Sequence, residues 1–264
     1  MSTEHVLDDR PSAQARARIR ESANKVPEVT VYFWIIKVLT TGMGETASDF
    51  LGHTLGPIPA VGLGGLAFAA SLVLQFAVRK YVPWIYWTAI VMVSVFGTMA
   101  ADALHVILGV PYTLSTPLFM IALAAVFALW YASERTLSIH SIRTRRREFF
   151  YWAAVLATFA LGTAAGDLTA TIGLGYLGSV VLFAVAICVP AVTHRTGLLG
   201  AVTAFWTAYV ITRPLGASLA DWMALPARRG GLAWGLGPVT LSWTVAIVGF
   251  VAFLAVSRRD VRTV

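Results

Sequence analysis

The chain has 264 residues, of which 58% are apolar and only 12% are charged, and its mean hydropathy is +0.74. One aqueous core cannot bury that much apolar surface, so the composition excludes a water-soluble globular protein and predicts one that lies in a lipid bilayer. The formal net charge is +7, from 20 lysines and arginines against 13 acidic residues. The interpretation of this net positive charge depends on the positions of the cations along the chain.

Residues 1–29 differ from the rest because they are polar and charged. We expect them to form a disordered cytoplasmic arm. The alternative is a cationic amphipathic anchor on the membrane surface, carried by Arg16, Arg18 and Arg20. Residues 30–258 are predicted to form a single transmembrane domain, and residues 259–264 a short cytoplasmic tail.

Eight apolar runs follow the arm, each near the roughly 20 residues with which a helix crosses a bilayer. They lack the period-two alternation of barrel strands, which leaves helices to satisfy the backbone in lipid. The predicted spans are residues 30–52, 58–78, 84–108, 113–133, 149–171, 176–194, 198–223 and 236–257. The fold class is therefore all-α, a polytopic membrane protein of eight transmembrane helices.

Lysine and arginine lie almost entirely on one side of these spans. Only Arg228 and Arg229 fall in loops on the other side, and Lys37 and Arg213 fall inside spans. Because cytoplasmic loops hold the excess of cations, this distribution predicts a multi-pass protein of the inner cell membrane with both termini in the cytoplasm. The basic stretch 143–147 lies in one of these short cytoplasmic loops, so we expect no nucleic-acid partner.

A fourfold repeat runs through the odd-numbered spans. Each carries an aromatic residue followed by Trp, an Asp fifteen residues after the Trp, and a Gly five residues before the Asp. In chain order the positions are Trp34, Trp87, Trp152 and Trp206, then Gly44, Gly97, Gly162 and Gly216, then Asp49, Asp102, Asp167 and Asp221. The repeats cover about residues 30–80, 84–135, 149–196 and 203–259.

Each repeat holds two spans, so successive copies enter the membrane in the same direction. The predicted arrangement is pseudo-fourfold, with the odd-numbered helices inside and the more apolar even-numbered helices facing lipid. The repeated glycines are expected to let helices pack closely, since small residues allow backbones to approach in lipid. The repeated tryptophans are expected to form a belt at the membrane interface.

The pattern resembles a bacterial family of uncharacterised membrane-anchored proteins that is defined by four tandem copies of a two-helix repeat of unknown function, with a Trp in each copy. The resemblance extends over residues 30–258. It implies the fold, and it implies no reaction, cofactor or substrate.

Every acidic residue within a span belongs to this motif or lies one turn before it: Asp49, Asp102, Asp167, Asp221 and Glu45. A charge near the middle of a membrane helix costs about 2.5–3.5 kcal/mol on insertion scales, and such residues usually mark ion or proton pathways. Carboxylates that converge in a low dielectric cannot all stay ionised. We therefore predict a cation-binding site or a proton relay. In the alternative, the carboxylates only hold the fold through hydrogen bonds or pairs with the buried cations.

Four further residues accompany the carboxylates. His53 and His105 share helix faces with two of the aspartates and are candidate metal ligands, which would favour Mn²⁺ over Mg²⁺ or Ca²⁺, although each can equally be an interfacial or hydrogen-bonded histidine. Arg213, directly before Pro214, is predicted to be a gate or counter-ion at a kink. Lys37 is predicted to share that role unless its side chain reaches the cytoplasmic interface.

The predicted function is a membrane transporter or exporter of small cations, with a divalent metal such as manganese favoured as the substrate and with coupling to protons. No catalytic residue and no fixed cofactor is predicted, and the expected partners are the lipid bilayer and the cation. Two alternatives stay open. One is a membrane-embedded enzyme or redox protein, and the other is a structural or partner-binding membrane protein in which the aspartates serve only helix packing.

Overall fold

The computed structural model describes residues 24–261, and within that range the chain is helical, with no strand. The candidate anchor residues Arg16, Arg18 and Arg20 lie outside the described residues, as does Arg262 in the predicted tail. An all-α fold is therefore confirmed for the described part of the chain.

Residues 24–261 contain nine α-helices, and the ends of these helices lie close to those of the predicted spans. They are α1 Val31–Leu55, α2 Pro57–Ala77, α3 Pro83–Val106, α4 Tyr112–Glu134, α5 Arg145–Thr169, α6 Gly175–Ala186, α7 Cys188–Arg195, α8 Ala201–Ala224 and α9 Leu236–Ser257. Two short 3-10 turns, Ile139–Ser141 and Ala227–Arg229, lie in the loops.

Local sequence sets the starts of these helices. The Thr30 hydroxyl accepts a hydrogen bond from the Phe33 amide at 3.4 Å, which caps α1. Helices α2 and α3 each begin with a proline, Pro57 and Pro83, whose missing N–H is not needed in the first turn. Gly56 joins α1 to α2 at a φ of 85°, a left-handed value that glycine adopts without strain.

The third repeat has two helical stretches, as predicted, but the second of them is interrupted. Helix α5 ends before a short connection, Ala170–Leu174, whose backbone leaves the helical region at Gly173, where φ is 115°. The predicted span 176–194 is divided into α6 and α7 at Ile187. Pro190 explains the break, because its ring excludes the helical hydrogen bond to the carbonyl of Ala186, where α6 ends.

Five helical stretches are long and apolar enough to cross a membrane, and they indicate a membrane protein. They are Pro57–Ala77, Pro83–His105, Tyr112–Glu134, the run Arg145–Arg195 and Leu236–Ser257. Helices α1 and α8 are as long, but they carry Lys37, Glu45, Asp49, Arg213 and Asp221, which lower their hydropathy.

The four helices that carry the repeated motif, α1, α3, α5 and α8, are called here the motif helices. Each packs against two of the others, in the order α1, α3, α5, α8 and back to α1. The remaining long helices pack most extensively on the motif helix of the following repeat: α2 on α3, α4 on α5, α6 on α8, and α9 on α1. The repeats are therefore interlocked rather than standing as separate hairpins.

Residues 24–30 and 258–261 meet at one end of the bundle, which we call the terminal end. Lys25 Nζ lies 2.5 Å from Glu148 Oε2 and also donates to the carbonyls of Gln75 and Phe76 at the end of α2. The Glu28 amide donates to the carbonyl of Asp260 at 2.9 Å. Residues 24–29 are thus packed against the bundle, which differs from the disorder expected for the whole arm.

Candidate functional site

The repeats align in layers along the bundle axis, because equivalent residues of the motif helices recur every four positions. The aromatic layer is Phe33, Tyr86, Tyr151 and Phe205; the second layer is Lys37, Ile90, Val155 and Tyr209; the third is Thr41, Ser94, Phe159 and Arg213; the fourth is Glu45, Thr98, Thr163 and Ala217; the aspartate layer is Asp49, Asp102, Asp167 and Asp221. The aromatic layer lies nearest the terminal end and the aspartate layer lies furthest from it.

Rings in the aromatic layer contact one another around the whole bundle. The first aromatic residue of each pair meets the Trp of the next repeat: Phe33 meets Trp87 at 5.7 Å, Tyr86 meets Trp152 at 5.8 Å, Tyr151 meets Trp206 at 6.1 Å, and Phe205 meets Trp34 at 5.8 Å between ring centroids. Such tilted pairs are favourable arrangements of aromatic quadrupoles. The circle closes the inside of the bundle toward the terminal end.

The tryptophans therefore differ from the interfacial belt that the sequence predicted. Trp87, Trp152 and Trp206 are buried inside the protein, and Trp34 is half-buried. The Trp206 indole donates to the Leu137 carbonyl at 2.9 Å. A belt requires rings that face lipid headgroups, whereas these rings face the neighbouring motif helices.

The repeated glycines lie where adjacent motif helices approach most closely. A Cβ atom added to any of them would lie only 1.8–2.7 Å from the third-layer residue of the next repeat. The pairs are Gly44 with Ser94, Gly97 with Phe159, Gly162 with Arg213, and Gly216 with Thr41. Any side chain at these positions would push two motif helices apart. The glycines thus set the distance at which the polar third and fourth layers meet.

Arg213 reaches from the third layer into the fourth and is fully buried. Its Nη2, whose two hydrogens are shared among three acceptors, lies 2.8 Å from Glu45 Oε2, 2.8 Å from Thr163 Oγ1 and also within bonding distance of Thr98 Oγ1. Its Nη1 donates to the Thr41 carbonyl at 3.0 Å. One guanidinium on α8 therefore bonds to residues of the other three repeats, and it is a fixed counter-ion of Glu45.

The sequence of the fourth repeat allows this geometry. Its fourth-layer residue is Ala217, where the other repeats carry the larger polar side chains that Arg213 contacts. The helix passes through Pro214 without a break. The guanidinium carbon also lies 5.1 Å from the centroid of the Phe159 ring.

Lys37 lies in the interior and does not reach either end of the bundle, so the interfacial alternative is wrong. Its side chain is fully buried, and Nζ lies 4.2 Å from the ring centroids of both Phe159 and Tyr209. Among the residues that the structure describes, Nζ has no hydrogen-bond partner. Within the described part of the chain, the Lys37 amino group thus contacts two ring faces and no hydrogen-bond acceptor.

A cavity of about 350 Å³ lies at the aspartate layer, at the end of the bundle opposite the chain termini. All five predicted carboxylates line it: Asp49, Asp102, Asp167, Asp221 and Glu45. Its other polar lining residues are Ser48, His53, Tyr112, Tyr176 and Arg229. The structure thus brings carboxylates from all four repeats around one space, which we call the acidic cavity.

The two histidines occupy different surroundings. His105 lies outside the lining of the acidic cavity, and both of its ring nitrogens are engaged, Nδ1 with the Val110 carbonyl at 2.6 Å and Nε2 with Ser115 Oγ at 3.3 Å. His53 is exposed, and its Nδ1 lies 2.7 Å from the Asp49 carbonyl. Within residues 24–261, no three side chains of His, Cys, Asp or Glu stand close enough together to hold a bare metal ion.

Several polar residues of the axis were not singled out from the sequence. The hydroxyls of Tyr86, Tyr151 and Tyr209 lie inside the aromatic and second layers, and Tyr112 and Tyr176 line the acidic cavity. Tyr86 and Tyr151 are the aromatic residues that precede Trp in two of the repeats, and a step of four residues from Phe205 would have found Tyr209. The last two come from helices outside the motif, and no repeat pattern marks them.

The family assignment rests on the same four copies. A family model described as Repeat of Unknown Function (DUF347) matches residues 32–81, 85–136, 150–196 and 204–260. No curated protein and no solved structure matches the chain. The four matched stretches coincide with the four copies of the Trp–Asp motif and cover most of the chain, so the resemblance noted from the sequence is confirmed. The chain belongs to the family of proteins built from this repeat of unknown function.

Proposed function

We propose that this protein is a multi-pass membrane transporter of small cations, and that the acidic cavity is its binding site. The observation that carries the proposal is the meeting of five carboxylates, from four separate repeats, around one cavity inside an apolar helical protein. Acidic residues are rare in membrane helices and cluster where ions or protons pass. A role in helix packing alone would not require them to surround an open space.

The proposed architecture has eight spans arranged as four parallel repeats around a pseudo-fourfold axis. The circular packing of α1, α3, α5 and α8 supports it, as does the cyclic order of the aromatic contacts. In this arrangement α1 and α8 cross the membrane despite their polar residues, because the polar faces are turned toward the other motif helices. The cations beside the termini support a cytoplasmic position for both termini, and in that orientation the acidic cavity faces the opposite side of the membrane.

The size of the acidic cavity favours a cation that keeps its water. The carboxylates surround about 350 Å³ and do not gather tightly enough to replace a full hydration shell. Six waters occupy about 180 Å³ at roughly 30 Å³ each, so a hydrated divalent ion such as Mn²⁺ fits between them. Mg²⁺, which dehydrates reluctantly, is usually bound in this way, through one or two carboxylates and several retained waters.

Replacing Asp102 with asparagine is expected to abolish binding of a divalent ion in the acidic cavity, because the change removes a negative charge and keeps the shape of the side chain. Thermal unfolding of the purified protein with Mn²⁺, Zn²⁺, Mg²⁺ or Ca²⁺ measures this, since a ligand at 100 times its Kd stabilises the folded state by about 2.7 kcal/mol. We expect the stabilisation in the wild type and its loss in Asp102→Asn.

A matched control is Glu28→Gln, which removes a carboxylate at the terminal end, far from the acidic cavity, and should keep the full response to the ion. A wild-type protein that none of the four ions stabilises would contradict the proposed substrate. An equal response in wild type and Asp102→Asn would place the bound ion elsewhere.

A further inference from the structure

We propose that the polar side chains on the bundle axis form a proton path between the terminal end and the acidic cavity, with Lys37 as the carrier in the middle. The inference rests on the proposed function. It deepens that function by proposing that protons move through the part of the bundle that the aromatic layer closes. It is carried by an alignment of hydroxyl, amine and carboxyl groups that runs through successive layers.

The path begins at the terminal end with Tyr81 and Asp260. The Tyr81 hydroxyl donates to Asp260 Oδ2 at 2.5 Å, and Asp260 is buried although it follows the last helix. Burial raises the pKa of the Asp260 carboxyl, so it holds a proton at a higher pH than an exposed aspartate would. The Tyr81 ring lies 5.6 Å from that of Tyr86, which begins the aromatic layer.

Two hydroxyls carry the path through the aromatic layer. The hydroxyls of Tyr86 and Tyr151 are 2.6 Å apart, and both side chains are fully buried. One layer deeper, Tyr209 is equally buried, and its hydroxyl has no hydrogen-bond partner among residues 24–261. A buried hydroxyl without a partner is unfavourable for stability, and it leaves the Tyr209 hydroxyl free to bond to a neighbouring proton carrier.

Lys37 is the group on the axis that can take up and release a proton at the second layer. Its ammonium lies against the rings of Tyr209 and Phe159 and makes no hydrogen bond within the described residues. Lysine carries three donors on a flexible four-carbon stem, so it can turn between neighbours without movement of the backbone. On losing one proton the ammonium becomes a neutral amine, and it accepts the next proton from the other side, so the cycle leaves Lys37 unchanged.

Two hydroxyls of the fourth layer continue the path to the acidic cavity. The Thr163 hydroxyl donates to Thr98 Oγ1 at 3.5 Å, and the Thr98 hydroxyl donates at 3.4 Å to Glu45 Oε2, which lines the cavity. Each hydroxyl accepts one proton and donates another. Protons can therefore cross layers whose packed rings leave no room for a hydrated metal ion.

Proton flux into liposomes that contain the purified protein tests the path. A pH-sensitive dye inside the vesicles reports the flux, and an imposed pH gradient drives it. Lys37→Met, which keeps most of the length and removes the amine, is expected to slow the flux by about tenfold or more, because a positioned proton-transfer group accelerates proton transfer by at least that factor. Tyr151→Phe and Tyr209→Phe, which each remove one oxygen, should have the same effect.

The control is Tyr32→Phe, whose hydroxyl bonds to Arg259 outside the axis and whose loss should leave the flux unchanged. Equal rates in the wild type and the three axis variants would overturn the path, as would a wild-type rate equal to that of empty vesicles. The stabilisation by Mn²⁺ is measured in parallel. A normal response to Mn²⁺ with unchanged flux rejects the path alone, and a flux that depends on Lys37 without any response to divalent ions rejects only the proposed substrate.

Discussion

Replacement of Arg213 by methionine is expected to lower the free energy of unfolding by about 3–5 kcal/mol, since removing one partner of a buried ion pair leaves the other charge uncompensated. Glu45 is buried and bonds to the guanidinium at 2.8 Å. The change also removes the hydrogen bonds that the hydroxyls of Thr98 and Thr163 and the Thr41 carbonyl accept from the guanidinium. Reversible unfolding in mixed micelles measures the difference.

The matched control is Arg228→Met, which removes an exposed arginine from the loop after α8 and should change stability by less than about 0.5 kcal/mol. The double variant Arg213→Met with Glu45→Gln should recover part of the loss, because it removes the unpaired charge as well. If Arg213→Met and Arg228→Met unfold alike, Arg213 is not the counter-ion that holds the motif helices together.

The positions of the helices along the chain could be predicted well from the sequence. The surroundings of each helix face, lipid or protein, could not. Apolar runs give the ends of α2, α4 and α9 closely, because hydropathy responds to any apolar surroundings. Hydropathy cannot distinguish lipid from the inside of a helical bundle, and this is why Trp87 and Trp152 were expected at the interface but are buried. The same limit applies to Lys37, whose position near the start of a span allowed it to reach either water or the protein interior.

The repeat was the most informative feature for the candidate site. Identical spacing in four copies placed Asp49, Asp102, Asp167 and Asp221 at one depth, and the structure has them around one cavity. The spacing could not show that Arg213 crosses between layers, because that contact depends on a difference between copies, the small Ala217 of the fourth repeat. It also could not show that each outer helix packs on the next repeat, since loop length alone does not decide between neighbouring partners.

Replacement of Gly216 by alanine is expected to lower the free energy of unfolding by about 1–3 kcal/mol, the usual effect of overpacking a close contact. The added Cβ would lie 1.8 Å from Thr41 Oγ1 and 2.9 Å from the Val38 carbonyl. The Thr41 hydroxyl can rotate away, but a backbone carbonyl cannot, so α1 and α8 must separate.

The comparison that isolates this effect is Gly249→Ala, in the middle of α9, where no atom lies within 4 Å of the added Cβ. Since alanine has the higher helix propensity, Gly249→Ala should be neutral or stabilising by up to about 1 kcal/mol. Separation of α1 and α8 would also lengthen the bond from Arg213 to Glu45, so Gly216→Ala should weaken stabilisation by Mn²⁺ whereas Gly249→Ala should not. Equal unfolding free energies for the two variants would show that the motif helices do not depend on close approach at the repeated glycine.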